Sequence, residues 1–146
     1  ELKLRLNSGS RVTLGDRVES DGRVSITTGY SSQLNIGSGV YFNDGAVISC
    51  LGKIDIGENT LFGPGVKIFD NNHRFSREEG VSRVCDAGCI TVGRSCWIAS
   101  DVVLLKGTDI GDNCVIGAGC VIRGKVPAGS LVTRSGEQTT RPIETR

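Results

Sequence analysis

The side chain best suited to acid–base chemistry in this sequence is its single histidine, His73, which lies in the run IFDNNHRF. An imidazole has a reference pKa of about 6.5, so it can accept a proton near neutral pH and act as a general base. From composition alone, a solvated histidine in a polar loop is the simpler interpretation. The chemistry of His73 therefore depends on the elements that position it.

Six cysteines are the other residues that could carry chemistry. Cys85 and Cys89, in the run VCDAGC, form a close pair. With one histidine and no second close pair of cysteines, the ligand set for a metal is incomplete, so no metal site is expected. A disulfide at this pair is disfavoured in a reducing cytosol, and the state of both thiols stays open.

A hexapeptide repeat follows these residues and begins at Val92. It can be cut without a gap into VGRSCW, IASDVV, LLKGTD, IGDNCV, IGAGCV and IRGKVP, with an aliphatic first position and a small or β-branched fifth position. The same phase occurs upstream in IGSGVY, FNDGAV, IGENTL and FGPGVK, with a two-residue slip around GKIDIG. A fixed short period of this kind is typical of a solenoid.

The spacing of the repeat predicts short β-strands. The fifth position, the sixth and the next first position alternate inward, outward and inward, while Gly, Asp, Asn and Ser between them favour turns. An amphipathic helix would need recurrence every three or four residues. We therefore expect one all-β domain over residues 1–146, with a solenoid over about 12–132 and a C-terminal tail at 133–146. The fifth position also predicts core packing for three thiols, those of Cys96, Cys114 and Cys120.

The repeat is lost between Ile68 and Ile90, where the sequence is polar, charged and glycine-containing. A solenoid accommodates such an insertion by extruding it, so residues 70–89 are expected to form a loop. Loops on rigid scaffolds frequently carry functional sites. His73 thus lies where a site could form.

Charge and hydropathy exclude some partners. Lys and Arg number 17 against 16 Asp and Glu, so the formal charge of +1 favours neither nucleic acid nor an anionic membrane as partner. The longest aliphatic runs, such as VVLL, are far shorter than the roughly 20 residues of a membrane span, and the first residues lack the apolar core of a signal peptide. We expect a cytoplasmic protein without a membrane span.

The runs IGENTLFGPGVKIFDNNHRF and ITVGRSCWIASDVVLLKGTDIGDNCVIGAGCVIRGKVPAG closely resemble the hexapeptide-repeat acyltransferases. Within them, the sequence is most similar to the sugar O-acetyltransferases of the galactoside, maltose and capsular or lipopolysaccharide group. The resemblance covers roughly residues 36–130. It implies a left-handed parallel β-helix that forms a homotrimer with active sites between subunits. It also implies acetyl-CoA as co-substrate, without a metal, and a hydroxyl of a sugar or polysaccharide precursor as acceptor.

The resemblance implies a role for each matching residue of the site. His73 would be the general base of a direct transfer, and the backbone N–H of Ser100 would stabilise the oxyanion of the thioester. Trp97 would lie by the active site, and Asn43 would contact the acceptor sugar. Ala99 replaces the usual glycine beside Ser100.

The polar residues before the histidine could orient its ring through the other nitrogen, although a turn-forming role explains them equally well. They are Asp70, Asn71 and Asn72.

Coenzyme A is expected along the groove between neighbouring β-helices. The resemblance predicts two backbone contacts to the pantetheine arm and two cations near the phosphates: Ala118, Gly119, Arg123 and Lys125. The end of the chain departs from the usual family ending, so Arg134 and Arg141 are further candidates for the phosphates.

Two other functions stay open at this point. An N-acetyltransferase acting on an amino sugar would also use a loop histidine, and a β-helical scaffold protein would use none of these residues for chemistry. A γ-class carbonic anhydrase has the same helix but needs three histidines at its zinc, so one histidine per chain excludes it.

Overall fold

The computed structural model describes residues 1–135 and 137–142, and this part of the chain is built from strands alone. Apart from one inserted antiparallel pair and the last strand, the strands succeed one another around a coil in groups of three, so that every third strand of the solenoid stacks in the same parallel sheet. None of the described residues forms a helix with the length and hydrophobicity to cross a membrane.

Three parallel sheets form the sides of the solenoid. Sheet A contains β1 (Leu2–Arg5), β4 (Val24–Thr28), β7 (Ala46–Cys50), β10 (Lys67–Phe69), β15 (Val103–Leu105) and β18 (Val121–Ile122). Sheet B contains β2 (Arg11–Leu14), β5 (Gln33–Ile36), β8 (Lys53–Ile56), β13 (Cys89–Val92), β16 (Asp109–Ile110) and β19 (Lys125–Val126). Sheet C contains β3 (Glu19–Ser20), β6 (Tyr41–Phe42), β9 (Leu61–Phe62), β14 (Trp97–Ile98), β17 (Val115–Ile116) and β20 (Ser130–Ser135), with β21 (Glu137–Pro142) added antiparallel at its edge.

The core is the column of side chains that the repeat predicts. The first-position residues are at most 1% exposed, and they are Val92, Ile98, Leu104, Ile110, Ile116 and Ile122. The fifth-position residues are buried as well, and they are Cys96, Val102, Thr108, Cys114, Cys120 and Val126. Burying one such aliphatic side chain contributes about 1.5–3 kcal/mol, so the stacked coils supply much of the stability.

The strand register fixes the length of each coil. Trp97 pairs with Val115, 18 positions later, which is three hexapeptides. Lys67, in contrast, pairs with Val103, 36 positions later. The segment between these strands therefore contains an insertion of one coil length, and the phase of the repeat is the same on both sides of it.

The limits of the solenoid differ from those predicted. Parallel pairing begins at Leu2, which pairs with Val24, about ten residues before the expected start. The first coil was missed because its apolar positions are spaced by 22 residues from the next coil and so fall out of the hexapeptide phase. At the other end, part of the expected tail continues sheet C as β20 and turns back as β21. Residues 136 and 143–146 of that tail lie outside the described residues.

The extruded segment is a β-hairpin, where the sequence predicted a loop. Its strands β11 (Asn71–Ser76) and β12 (Gly80–Ala87) pair antiparallel, with an irregularity between His73 and Phe75. Most of its side chains are exposed, as expected for a segment extruded from the solenoid.

Asp70 anchors the base of this hairpin. Its buried carboxylate accepts hydrogen bonds from the backbone N–H groups of Leu51 and Gly52, both at 2.8 Å. Its backbone carbonyl accepts a bond of 2.7 Å from the N–H of Gly88, where the chain returns to the solenoid. One residue therefore joins the outgoing strand, the returning strand and the coil beneath.

Replacing Asp70 with Asn should lower the free energy of unfolding by about 1–3 kcal/mol, because the new amide NH₂ would face one of the two backbone donors and leave it unsatisfied. Denaturant unfolding measures the loss. The matched control is Asp86→Asn, which removes an exposed ion pair of the same hairpin, Arg74 to Asp86 at 2.7 Å, and should cost less than about 1 kcal/mol. Equal losses for the two variants would contradict the anchoring role.

Candidate active site

The hairpin holds His73 by contacts within the hairpin itself. His73 lies opposite Cys85 on the neighbouring strand, and its side chain is exposed. The ring nitrogen Nδ1 is 3.0 Å from the carbonyl oxygen of Ser82 and 3.5 Å from Sγ of Cys85. The ring is therefore oriented on one side, while its other nitrogen, Nε2, has no hydrogen-bond partner among the described residues.

The Ser82 contact determines which nitrogen can act as a base. A backbone carbonyl only accepts hydrogen bonds, so the neutral ring carries its proton on Nδ1 and donates it to Ser82. The lone pair is then on Nε2, which is the arrangement that a general base requires.

Of the three residues that could have oriented the ring, two make their hydrogen bonds elsewhere. The carboxylate of Asp70 is occupied by backbone amides at the hairpin base. The amide of Asn71 donates to the carbonyl and hydroxyl of Ser49. Asn72 is exposed and has no hydrogen bond to His73. A backbone carbonyl does this work instead, and nothing in the sequence distinguishes one carbonyl from another.

An open groove of about 790 Å³ lies between the hairpin and sheet A. Its lining residues are Ser49, Phe69, Asn71, Asn72, His73, Phe75, Leu105 and Arg123. Phe69 pairs with Leu105 in sheet A, and the next strand, β18, leads directly into Arg123. Three apolar side chains thus line the groove together with the imidazole, and one cation lies further along the same edge.

Four residues of this groove were not singled out in the sequence: Ser49, Phe69, Phe75 and Leu105. The sequence could have indicated two of them. Phe69 and Leu105 each follow a buried first-position residue, so their side chains must point outward. An apolar residue at an outward position of a soluble strand is a candidate for a ligand or subunit contact.

A second group of predicted residues lies at the corner where sheet C turns into sheet A. Ser100 stacks above Pro64 and below Ala118, and the N–H of Gly119 donates to the carbonyl of Ser100 at 2.9 Å. The N–H of Ser100 itself has no acceptor among the described residues. It is available to donate to a ligand.

The alanine beside Ser100 does not distort this corner. Ala99 is 7% exposed, and its N–H donates to Ile116 at 2.9 Å. The equivalent N–H of Gly63, one coil below, donates to Ile98 at 2.8 Å. The two backbones follow the same path, so the replacement of glycine by alanine is accommodated.

Trp97 lies on the outer face of sheet C, as its place in the repeat predicts. It is 55% exposed and is stacked between Leu61 in the coil below and Val115 in the coil above. Asn43 is the first residue of the corner between sheets C and A, two coils below Ala99. Its N–H donates to the carbonyl of Phe62, in the coil between them, at 2.9 Å.

A single chain does not bring all the predicted residues together. His73 and Arg123 lie at the corner between sheets A and B, whereas Asn43, Ser100, Ala118 and Gly119 lie at the corner between sheets C and A. The width of sheet A separates the two groups.

The remaining cations occupy different places. Lys125 begins β19 on the outside of sheet B and pairs with Asp109. The guanidinium of Arg134 lies beside Gly119, at the end of the corner column that contains Ser100. The side chain of Arg141 is outside the described part of the chain. Within that part, no cluster of three or more His, Cys, Asp or Glu side chains could hold a metal ion.

Comparison with known proteins gives the same repeat and the same architecture. The family described as bacterial transferase hexapeptide (six repeats) matches residues 89–124. The galactoside O-acetyltransferase of Escherichia coli K12 is 35% identical over 98 residues, which cover 67% of this chain and 48% of that protein. The chain belongs to the hexapeptide-repeat acyltransferases. It spans about half the length of this curated relative.

Solved structures of hexapeptide-repeat acyltransferases superpose on most of the chain. A galactoside acetyltransferase in complex with coenzyme A has a TM-score of 0.69 and 27% identity, and the match covers 97% of this chain and 65% of that one. A maltose O-acetyltransferase from Clostridium difficile 630 has a TM-score of 0.76 at 24% identity, covering 91% of this chain and 70% of the other. The solenoid is the left-handed parallel β-helix of these acyltransferases, as the resemblance predicted.

The ring geometry makes a prediction that needs no substrate. In the neutral form of His73, ¹⁵N NMR should identify Nδ1 as the protonated nitrogen, because the carbonyl of Ser82 can only accept a hydrogen bond. The spectrum is simple to assign, since the sequence contains one histidine. Predominance of the Nε2–H tautomer would contradict the geometry.

Proposed function

We propose that this protein transfers an acetyl group from acetyl-CoA to a hydroxyl of a sugar-type acceptor, with His73 as general base in a direct transfer. The observation that carries the proposal is the orientation of the His73 ring, which is held through Nδ1 by Ser82 and leaves Nε2 free beside an open groove. Solved relatives of the fold were obtained with coenzyme A and with acetyl coenzyme A, which supports the choice of donor.

The imidazole would carry the proton through both halves of the reaction. Nε2 of His73 takes the proton of the acceptor hydroxyl as its oxygen attacks the thioester carbon, and the same nitrogen returns the proton to the departing thiolate. Ser82 supports the charged ring because a carbonyl beside Nδ1–H stabilises the imidazolium. No covalent enzyme intermediate is required, so the kinetics should be sequential.

The free N–H of Ser100 is suited to the developing negative charge. A backbone donor is fixed in place and needs no reorganisation during the reaction, and one such donor typically contributes 10²- to 10³-fold to turnover. Trp97 is on the adjoining face and would cover the thioester.

Coenzyme A would occupy the groove between neighbouring subunits. Arg123 lies two coils away from Phe69 along the same edge of sheet A. Its guanidinium can therefore contact a phosphate of coenzyme A while the thioester lies by His73. Ala118 and Gly119 offer backbone contacts to the pantetheine arm from the other corner. Lys125 stays a candidate for the phosphates, although it begins the next face of the solenoid.

A homotrimer would bring the two corners together. His73 of one subunit would then lie opposite Trp97 and Ser100 of the next, which is the reason to place the active site between subunits. The outer surfaces support this arrangement, because the outer positions of sheet C form an apolar column: Tyr41, Leu61, Trp97, Val115 and Leu131. Sheet A presents Val47, Val103 and Val121. The corresponding positions of sheet B are mostly polar, so sheets A and C are the faces suited to packing against another copy.

A sugar or polysaccharide precursor is supported by the named activities of the galactoside and maltose enzymes. A cytoplasmic location is part of the proposal because acetyl-CoA is an intracellular metabolite.

Substituting His73→Ala should reduce turnover with acetyl-CoA by on the order of 10²–10⁴, because the acceptor proton would have no base. Thiol release with a panel of sugar acceptors measures turnover, and calorimetry measures acetyl-CoA binding, which should persist. Arg77→Ala is a matched control, since Arg77 is an exposed cation of the same hairpin outside the groove.

Two results would contradict this role. Unchanged turnover in His73→Ala would remove the imidazole from the reaction, and absence of acetyl-CoA binding to the folded protein would favour a scaffold without activity. Offering each sugar as its amine counterpart distinguishes O-transfer from N-transfer.

The oxyanion role of Ser100 can be tested with a substitution that the chain already tolerates one coil below. Ser100 occupies the position of Pro64, 36 residues earlier, and residues 65 and 101 both have positive φ values of 72° and 57°. Ser100→Pro should therefore keep the fold while removing the N–H, and turnover should fall about 10²- to 10³-fold. Ser100→Ala keeps the N–H and should remain near wild type.

Mixing these variants tests whether the site lies between subunits. His73→Ala and Ser100→Pro should each be inactive alone, but co-refolded trimers should recover about a quarter of wild-type turnover, because some interfaces combine an intact histidine with an intact amide. No recovery would mean that both groups must come from one chain.

A further inference from the structure

The six thiols of this protein differ sharply in accessibility. Four are buried inside the solenoid: Cys50, Cys96, Cys114 and Cys120. Burial raises the pKa of the Cys50 thiol to about 12 and raises the pKa values of Cys96 and Cys120 above their ordinary value. Burial shields all four of these interior thiols, so chemistry with a reagent in solution is left to Cys85 and Cys89.

The two accessible thiols have different neighbours. Cys85 is half-buried on β12, and its Sγ lies 3.5 Å from Nδ1 of His73 across the hairpin. Cys89 is exposed on the outside of sheet B, where its cross-strand neighbour is Lys53, which is already paired with Asp55 at 3.0 Å. Cys85 is therefore the thiol with an imidazole beside it, and Cys89 is the internal reference.

We infer that the Cys85–His73 pair is a site of reversible modification by small disulfides such as glutathione disulfide. Nδ1 of His73 lies 3.0 Å from the carbonyl of Ser82 and 3.5 Å from Sγ of Cys85, so its N–H is within reach of the sulfur and can donate to the charge on the attacking sulfur during the exchange. A thiolate beside a positive charge, within reach of solvent, is the reactive form of cysteine.

The reaction balances without a further reactant. The Cys85 thiol loses its proton to a solvent water, Nε2 of His73 takes up a proton from solvent, and the thiolate attacks one sulfur of the disulfide. A new bond forms between Sγ and that sulfur, the original S–S bond breaks, and the departing thiolate takes the proton from the imidazolium. Cys85 is oxidised to a mixed disulfide, and half of the glutathione disulfide is reduced to glutathione.

The adduct would act directly on His73. A group attached to Sγ must occupy the space beside Nδ1, where the ring now contacts Ser82 at 3.0 Å. The ring would lose this hydrogen bond and the tautomer it fixes. This consequence for turnover rests on the proposed function, whereas formation of the adduct does not.

The first experiment measures adduct formation alone. The folded protein is incubated with glutathione disulfide, quenched in acid and digested, and the fractions of modified Cys85 and Cys89 are followed by mass spectrometry. Cys85 should react about tenfold faster than Cys89. In His73→Ala, the rate at Cys85 should fall toward that of Cys89, while the rate at Cys89 stays the same.

Equal rates at the two thiols in the wild type would overturn the inference, as would an unchanged Cys85 rate in His73→Ala. Because a local loss of structure could expose Cys85 in that variant, His73→Asn is measured beside it, and it should slow Cys85 equally. An increase in the Cys85 rate in both variants would also overturn the inference.

The second experiment connects the adduct to activity. Glutathione disulfide should abolish turnover of the wild type and of Cys89→Ser, and dithiothreitol should restore it. The residual rate of Cys85→Ala should be insensitive to the disulfide. Inactivation that persists in Cys85→Ala would overturn the link to His73, whereas a wild type without any turnover would refute the proposed function and leave the rates of adduct formation valid.

Discussion

Vertical stacking is the constraint on which the rest of this structure depends. Parallel strands hydrogen-bond at a spacing of about 4.8 Å, so each residue of one coil lies directly above a counterpart in the coil below. The inward residues must therefore form continuous aliphatic columns, and the corners must repeat the same turn. Ser100 has its place because Pro64 lies beneath it, and Arg123 has its place because Leu105 does.

The imidazole of His73 is positioned by a different principle. The hairpin leaves the solenoid, and the contacts of His73 come from its own partner strand: the carbonyl of Ser82 and the sulfur of Cys85. The irregularity between His73 and Phe75 shifts the strand register here, which brings a backbone carbonyl to the ring. The solenoid contributes through Asp70, which fixes where the hairpin emerges. Rigid stacking and a locally organised hairpin thus combine in one site.

Much of the fold could be predicted because the repeat records burial at a fixed period. The inward positions from Val92 onward, the exposure of Trp97 and the buried place of three cysteines all follow from the hexapeptide phase. The first coil could not be predicted in this way, because its spacing to the next coil is longer and its apolar residues lie at an open end.

The details of the site were less accessible from the sequence. Asp70 was a candidate for orienting the imidazole because of its type and proximity in the chain, but two backbone amides at the hairpin base need the same carboxylate. The residue that does orient the ring contributes only its carbonyl, a group that every residue has. The separation of His73 and Ser100 at two corners follows from the order of the three sheets.

The length of the insertion has a consequence for how such proteins can change over evolution. The inserted segment has the length of one 18-residue coil. Removing it would therefore leave the remaining strands paired as they are now, and the hexapeptide phase would stay the same. A β-helix of this type could gain or lose its histidine-bearing arm in a single event while its trunk continued to fold. Two such solenoids, one with the hairpin and one without it, would then differ by a single segment. Exchanging the hairpin alone could change which ligand the protein binds.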